Sequence, residues 1–199
     1  MARFYLDVET FREKEAFDER IIAIGVLEDW TPYQGSSLEK EAEFRIFSEW
    51  DLGNEKQVVK VFYSYFKDLL LKSEFLVIVG FNILRFDIPL LIQKAVEHGL
   101  AQVPELNKLW YEAYVIDLFQ AALLTNEMRF KGNSLKNLVK KAKDKGIQVS
   151  EIYGKGDEVK EWYKKKEYSK IEEKLKADLK IIRELDLTQS IYRIIKLND

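Results

Sequence analysis

The residues with the clearest chemical potential in this sequence are carboxylates. Asp7 and Glu9 stand two apart in a β-patterned segment. Both side chains therefore leave one face of a strand, about 6–7 Å apart at a rise of about 3.3 Å per residue, while Leu6 and Val8 take the other face. On a central strand, desolvation and mutual repulsion oppose the ionisation of both acids, a conflict that a bound cation resolves; on an edge strand both are simply wet. Asp178 is more telling. In a helix over residues 168–185 the apolar positions Ile171, Leu175, Ile182 and Leu185 mark a buried stripe. Asp178 fills the gap in that stripe, whereas Glu172, Glu173, Lys176 and Lys180 lie off it. A buried carboxylate needs a cation, a strong hydrogen-bond set or protonation. Asp87, with Pro89 just beyond it, reads in isolation as a helix N-cap. In an open α/β sheet, however, functional groups gather at strand ends, which places Asp7, Glu9 and Asp87 to converge on one mouth.

The rest of the composition restricts a metal to oxygen ligands. The 199 residues contain no Cys and one His, His98. Disulfides, thiolate nucleophiles, iron–sulfur clusters and all-His zinc sites are excluded, and a Ser-His-Asp triad would have to use His98. With 47% hydrophobic residues, 13% aromatics, 9 Gly and 3 Pro, the chain is not a disordered or low-complexity polymer, and one domain over residues 1–199 is expected. The longest apolar stretches, residues 21–27 and 75–81, fall short of the roughly 20 residues that span a bilayer. The first residues reach Asp7 with no long apolar segment, so a cytoplasmic protein without membrane association is expected.

The elements that must position these acids follow from periodicity. Strands are predicted over residues 3–8, 21–27, 42–47, 75–79 and 113–116, with a charged connection over 11–20. A helix is predicted over 54–72, where Val58, Val61, Phe62, Tyr65, Phe66 and Leu69 recur at three- and four-residue spacing, and another over 87–99. Residues 134–145, 157–166 and a long stretch from 167 to the end complete the helices. The order is that of an α/β layer fold with a mixed sheet opening on a three-strand meander.

The segments Leu6-Asp7-Val8-Glu9-Thr10, Asn82-Ile83-Leu84-Arg85-Phe86-Asp87 and Asp178 within Glu173-Lys174-Leu175-Lys176-Ala177-Asp178 resemble the DEDD-type 3′–5′ exonuclease superfamily. The likeness is closest to the proofreading exonuclease domain of family B DNA polymerases and its stand-alone relatives, and runs from Phe4 to about Leu185. Val115-Ile116-Asp117-Leu118 and the Gly156-Asp157 helix belong to it. It implies a ribonuclease-H-like fold, a mixed five-stranded sheet flanked by helices. It also implies two divalent cations, Mg²⁺ or Mn²⁺: Asp7 would bridge both, Glu9 and Asp178 would hold the first, and Asp87 the second, directly or through water. Hard oxygens suit such ions, and a pair about 3.5–4 Å apart serves in-line phosphoryl displacement. Thr10, Phe11, Asn82 and Phe86 are the implied neighbours of a terminal nucleotide.

One position departs from the pattern. The superfamily places a Tyr four residues before the last Asp, or a His five before; Lys174 and Glu173 stand there. Tyr168 is too far, since ten helical residues displace it by about 15 Å. Three readings are open: Lys174 acts as a base with a depressed pKa, the metal alone suffices, or activity is weak. The resemblance implies single-stranded DNA or RNA as substrate and admits a replication or repair protein as partner. A formal charge of −2 is poor for a general nucleic-acid binder, but seven basic residues over 129–145 (Arg129, Lys131, Lys136, Lys140, Lys141, Lys143, Lys145) face one acid, Asp144, and offer a track for a single strand or a solvated face. The four Trp are scattered, as packing residues are. The expected function is a metal-dependent 3′–5′ exonuclease; the alternatives are a noncatalytic ribonuclease-H-like module binding nucleic acid or a repair partner, and an oxygen-ligated structural metal protein.

Overall fold

The computed structural model describes residues 2–13, 19–30 and 42–196. In chain order these form β1 (Ala2–Arg12), β2 (Glu19–Asp29), β3 (Glu43–Ser48), α1 (Glu49–Leu52), α2 (Glu55–Lys72), β4 (Leu76–Gly80), α3 (Asp87–Glu97) and α4 (Val103–Tyr111). There follow β5 (Tyr114–Asp117), α5 (Leu118–Ala122), a 3-10 turn (Leu123–Asn126), α6 (Leu135–Asp144), α7 (Gly156–Lys164), α8 (Tyr168–Leu187) and α9 (Ser190–Lys196). The sheet order is β3-β2-β1-β4-β5, with β1, β2 and β3 antiparallel and β4 and β5 parallel to β1. This is the mixed sheet and opening meander expected from the pattern. Since β1 lies in the middle, the edge-strand reading of Asp7 and Glu9 is excluded.

Several boundaries differ from expectation. The first hairpin's strands run on through Arg12 and from Glu19, so both ends of the expected connection are strand, and residues 14–18 lie outside the described residues. Helices α1, α4 and α5 appear where none was expected; α4 opens with Pro104 in its first turn and with the Glu105 carboxylate accepting the Gln102 amide at 2.8 Å. The long carboxyl-terminal helix divides into α8 and α9 at Gln189, whose φ of 51° is left-handed. On α2 the buried face includes Val59 and Tyr63, while Val61 and Tyr65 are only half-buried.

Alternation along β1 separates two cores. Phe4, Leu6 and Val8 join Val58, Phe62, Phe66 and residues of α3 and α4 on one face of the sheet. On the opposite face Tyr5 joins Leu175, Leu179 and Ile182 of α8 and residues of α5, α6 and α9. Asp7 and Glu9 share the parity of Tyr5, so they point toward α8.

The approach of α8 depends on a missing side chain. Gly25 pairs with Asp7 across β1 and β2, and a Cβ there would stand 2.6 Å from Leu175 Cγ and 2.8 Å from Leu179 Cδ1. Polar contacts then set the helix's register. Arg183 Nε donates to Asp29 Oδ2 at 2.8 Å, and Asp186 Oδ2 accepts from Arg3 Nη1 at 2.6 Å and from Tyr5 Oη at 3.0 Å. The first pair is buried, so deleting either partner would strand a charge.

Gly25→Val is expected to cost about 1–3 kcal/mol by overpacking against α8. Gly156→Ala, where nothing lies within 4 Å, is expected not to lower stability. Chemical denaturation of the two variants beside wild type checks both.

Candidate metal centre

Three elements deliver the acids. Asp7 and Glu9 come from the middle of β1, just before a bulge in which the register slips and Ile22 of β2 is left opposite the Glu9–Thr10 step. Such a bulge bends the strand and re-aims the side chains beside it. Asp178 comes from the buried face of α8. One carboxylate oxygen from each of Asp7, Glu9 and Asp178 can be chosen so that all lie within 4.8 Å of one another. Glu9 and Asp178 are buried and Asp7 is half-buried.

Asp87 joins them from the opposite core. It occupies the first position of α3, with Phe86 as the cap residue and no side-chain cap bond, which corrects its expected N-cap role. The backbone amides of Val8 and of Asp87 itself instead lie near enough to favour its charged form. Val8 has an amide to give because β4 pairs with β1 only as far as Tyr5, leaving that edge of β1 open beyond it.

Electrostatics show four acids in conflict. Burial first, then the charges of Glu9, Asp87 and Asp178, push the Asp7 carboxyl well above the ordinary carboxylate range, and Lys174 only partly counters them. Burial raises Glu9 as well, against the lowering effect of Lys174. Asp87 is pushed up to about 7, chiefly by burial, with its two amides opposing and the charges of Glu9 and Asp117 adding to the rise. The donor set is all oxygen and its charge is mostly uncompensated, which fits a hard divalent cation.

Lys174 stands among these acids. Its Nζ donates to Glu9 Oε1 at 2.6 Å and to Asp178 Oδ2 at 2.7 Å, and the residue is 8% exposed. Burial alone would lower its pKa, but the carboxylates of Glu9, Asp178 and Asp7 more than offset that and hold the ammonium above the ordinary lysine value. With no cation among the carboxylates, the direction is opposite to the depressed pKa that a base role for Lys174 requires. Glu173, exposed on the helix's outer side, interacts with Tyr153.

The implied nucleotide neighbours are placed as follows. Thr10 Oγ1 donates to Glu19 Oε1 at 3.3 Å. The ring of Phe11 is buried against Tyr163 beside Ile22, Val159 and Ile171, which corrects its side chain as a base contact and leaves its backbone. Asn82 adopts a left-handed φ of 65° at the start of the turn into α3, and Phe86 packs half-buried on the first core. His98 is paired with Glu55 at 2.9 Å, and Tyr168 stacks on Trp50 at 4.7 Å; neither joins the acids. Of the basic run, Lys136, Lys140 and Lys143 line a groove of about 570 Å³ with Lys155, while Lys141 binds the Thr125 carbonyl and Arg129 pairs with Glu127.

Two contributors carried no expected role. Asp117, at the end of β5, accepts the amides of Asn82 (2.9 Å), Leu84 (3.2 Å) and Phe119 (2.9 Å), fastening the turn that aims Asp87. An Asp closing an apolar strand and preceding a helix was the available signal. Gly25 was signalled by a glycine inside an apolar strand run, which marks close approach of another element.

No protein-family model and no curated protein matches the chain. Among solved structures it is similar to the family B DNA polymerase from the hyperthermophilic archaeon Pyrobaculum calidifontis, with a TM-score of 0.63 and 15% identity, over 92% of this chain and 24% of that one. It is also similar to exonuclease I, with a TM-score of 0.56 and 14% identity, over 98% of this chain and 42% of that one. The fold is ribonuclease-H-like. The chain thus spans less than half the length of either protein, and the ribonuclease-H-like frame is what they share with it. No helix among the described residues is long and apolar enough to cross a membrane.

Because the folded-state pKa of Asp87 is raised to about 7, its proton is bound more tightly in the native state. The stability it supports is present below the ordinary carboxylate pKa and lost as pH rises. Metal-free protein is therefore expected to show a falling melting temperature between about pH 4 and pH 7, and added Mn²⁺ is expected to reverse the loss; thermal melts across that range with and without the ion check this. Asp117→Ala removes the acceptor of three amides and is expected to cost about 2–4 kcal/mol by denaturant titration.

Proposed function

We propose that this protein is a metal-dependent 3′–5′ exonuclease that hydrolyses phosphodiester bonds of single-stranded DNA or RNA. The observation that carries the reading is the convergence of Asp7, Glu9 and Asp178 within 4.8 Å, with Asp87 close enough to repel them. Mutually repelling, desolvated carboxylates weaken a fold unless a ligand uses them. The polymerase and exonuclease likenesses support the nuclease class, and polarity and strandedness come from the motif resemblance.

In this reading the pocket of Asp7, Glu9, Asp87 and Asp178 would take divalent metal, Mg²⁺ or Mn²⁺, which would supply positive charge to the scissile phosphate and lower the pKa of a bound water. The chain's own residues do the positioning. The turn fastened by Asp117 would present Asn82 and Phe86 to the terminal nucleotide, and the edge of β1 that β4 leaves unpaired would offer it the backbone of Thr10 and Phe11. Setting the four acids aside, 30 acidic residues stand against 32 basic ones, so the remaining surface does not repel a polyanion. The groove lined by Lys136, Lys140, Lys143 and Lys155, with Asp144, Glu151 and Glu158 also at its walls and Lys143 paired with Glu151, is the proposed track for the following phosphates.

One observation favours a second reading, a noncatalytic module that binds nucleic acid or a replication or repair protein: a lysine stands where the superfamily keeps a tyrosine or histidine.

The test uses 5′-labelled single-stranded DNA and RNA with Mg²⁺ or Mn²⁺, beside Asp7→Ala and a chelator control. Stepwise shortening from the 3′ end is expected, reduced at least about a hundredfold in both controls, a change of roughly 2.7 kcal/mol in barrier. Binding without shortening selects the module, and neither binding nor shortening rejects both.

A further inference from the structure

Lys174 does more than replace an aromatic residue. Its ammonium touches one oxygen of Glu9 and one of Asp178, the two acids that the superfamily resemblance assigns to the first of two metal ions. Lys174 and Asp178 are one turn apart on α8, so the helix itself sets the ammonium beside that ligand. The Lys174 side chain is 10% exposed, so its ammonium meets the two carboxylates largely out of water.

We infer that the Lys174 ammonium is a built-in cation occupying the position between Glu9 and Asp178, so that the site takes one divalent ion, held by Asp7 and Asp87, rather than two. This rests on reading the four acids as a cation site.

The substitution changes what that side of the site can do. An ammonium supplies charge and hydrogen-bond donors but has no open coordination position, so it cannot bind and acidify a water as an ion does. Two of its three donors engage Glu9 and Asp178, and the third is free to meet a phosphate oxygen. Lys174 thus orients and neutralises, and its site does not generate the nucleophile.

The deciding measurement counts Mn²⁺ bound per chain, by calorimetry and by the electron paramagnetic resonance of free Mn²⁺, in wild type, Lys174→Met and Lys174→Arg. Wild type is expected to bind one ion, Lys174→Met two, and Lys174→Arg one. Lys174→Met is also expected to melt below wild type without metal and to recover when Mn²⁺ is added. An unchanged count in Lys174→Met, or two ions already in wild type, overturns the inference. Should Lys174→Met fail to fold, the wild-type count decides alone: one ion supports the inference, and two ions or none reject it. The count is independent of cleavage. A wild type that binds one ion and shortens no substrate defeats the exonuclease reading and leaves the lysine's place intact, whereas two ions with brisk cleavage do the reverse.

Discussion

The repulsion among carboxylates removed from water is the constraint that the structure is built around. Asp7, Glu9 and Asp178 crowd together at the middle of the sheet, and Asp87 adds a fourth charge from the turn beyond β4. No arrangement of apolar neighbours relieves such a cluster, because a low dielectric strengthens the repulsion and removes hydration at once. Relief comes from positive charge, and the chain provides part of it through Lys174. A protein of this size has a net stability of roughly 10–15 kcal/mol or less, so an uncompensated cluster weighs heavily on it.

Much of the fold serves to hold the acids together in spite of themselves. Gly25 lets α8 settle onto β1 and β2 at a distance that any side chain would forbid. Arg183 with Asp29, and Asp186 with Arg3 and Tyr5, tie the carboxyl-terminal half of the helix to the sheet. Asp117 fastens the turn before α3 by its amides, so the backbone itself aims Asp87. Each device puts a polar or backbone contact where apolar packing alone would leave the register free to slide.

The acids, the central strand and α8 were legible in the sequence because a carboxylate on an apolar stripe breaks a simple period, as Asp178 does between Leu175 and Ile182. Asp87 was legible only in part: the same spacing of Asp and Pro serves a cap, and the nearness of the Val8 amide to its carboxylate depends on β1 outlasting β4. The place of Lys174 was not legible, since a lysine one turn from an aspartate is usually a solvated pair; its burial against Glu9 is a long-range contact across 165 residues. Phe11 misled for the related reason that an aromatic next to a motif looks available until α7 and α8 are seen to cover it. Short helices such as α1 and α5 left too few turns for a period to show.

The site straddles the sheet. Glu9, Lys174 and Asp178 belong to the core under α8, whereas Asp87 belongs to the one under α2, α3 and α4. The two layers lie on opposite faces of the strands, so local breathing in one need not spread to the other. Fraying of the first turn of α3 would withdraw Asp87 while leaving the lysine-bridged pair undisturbed. Capture and release of an ion can then be a local event at the seam between two otherwise intact halves.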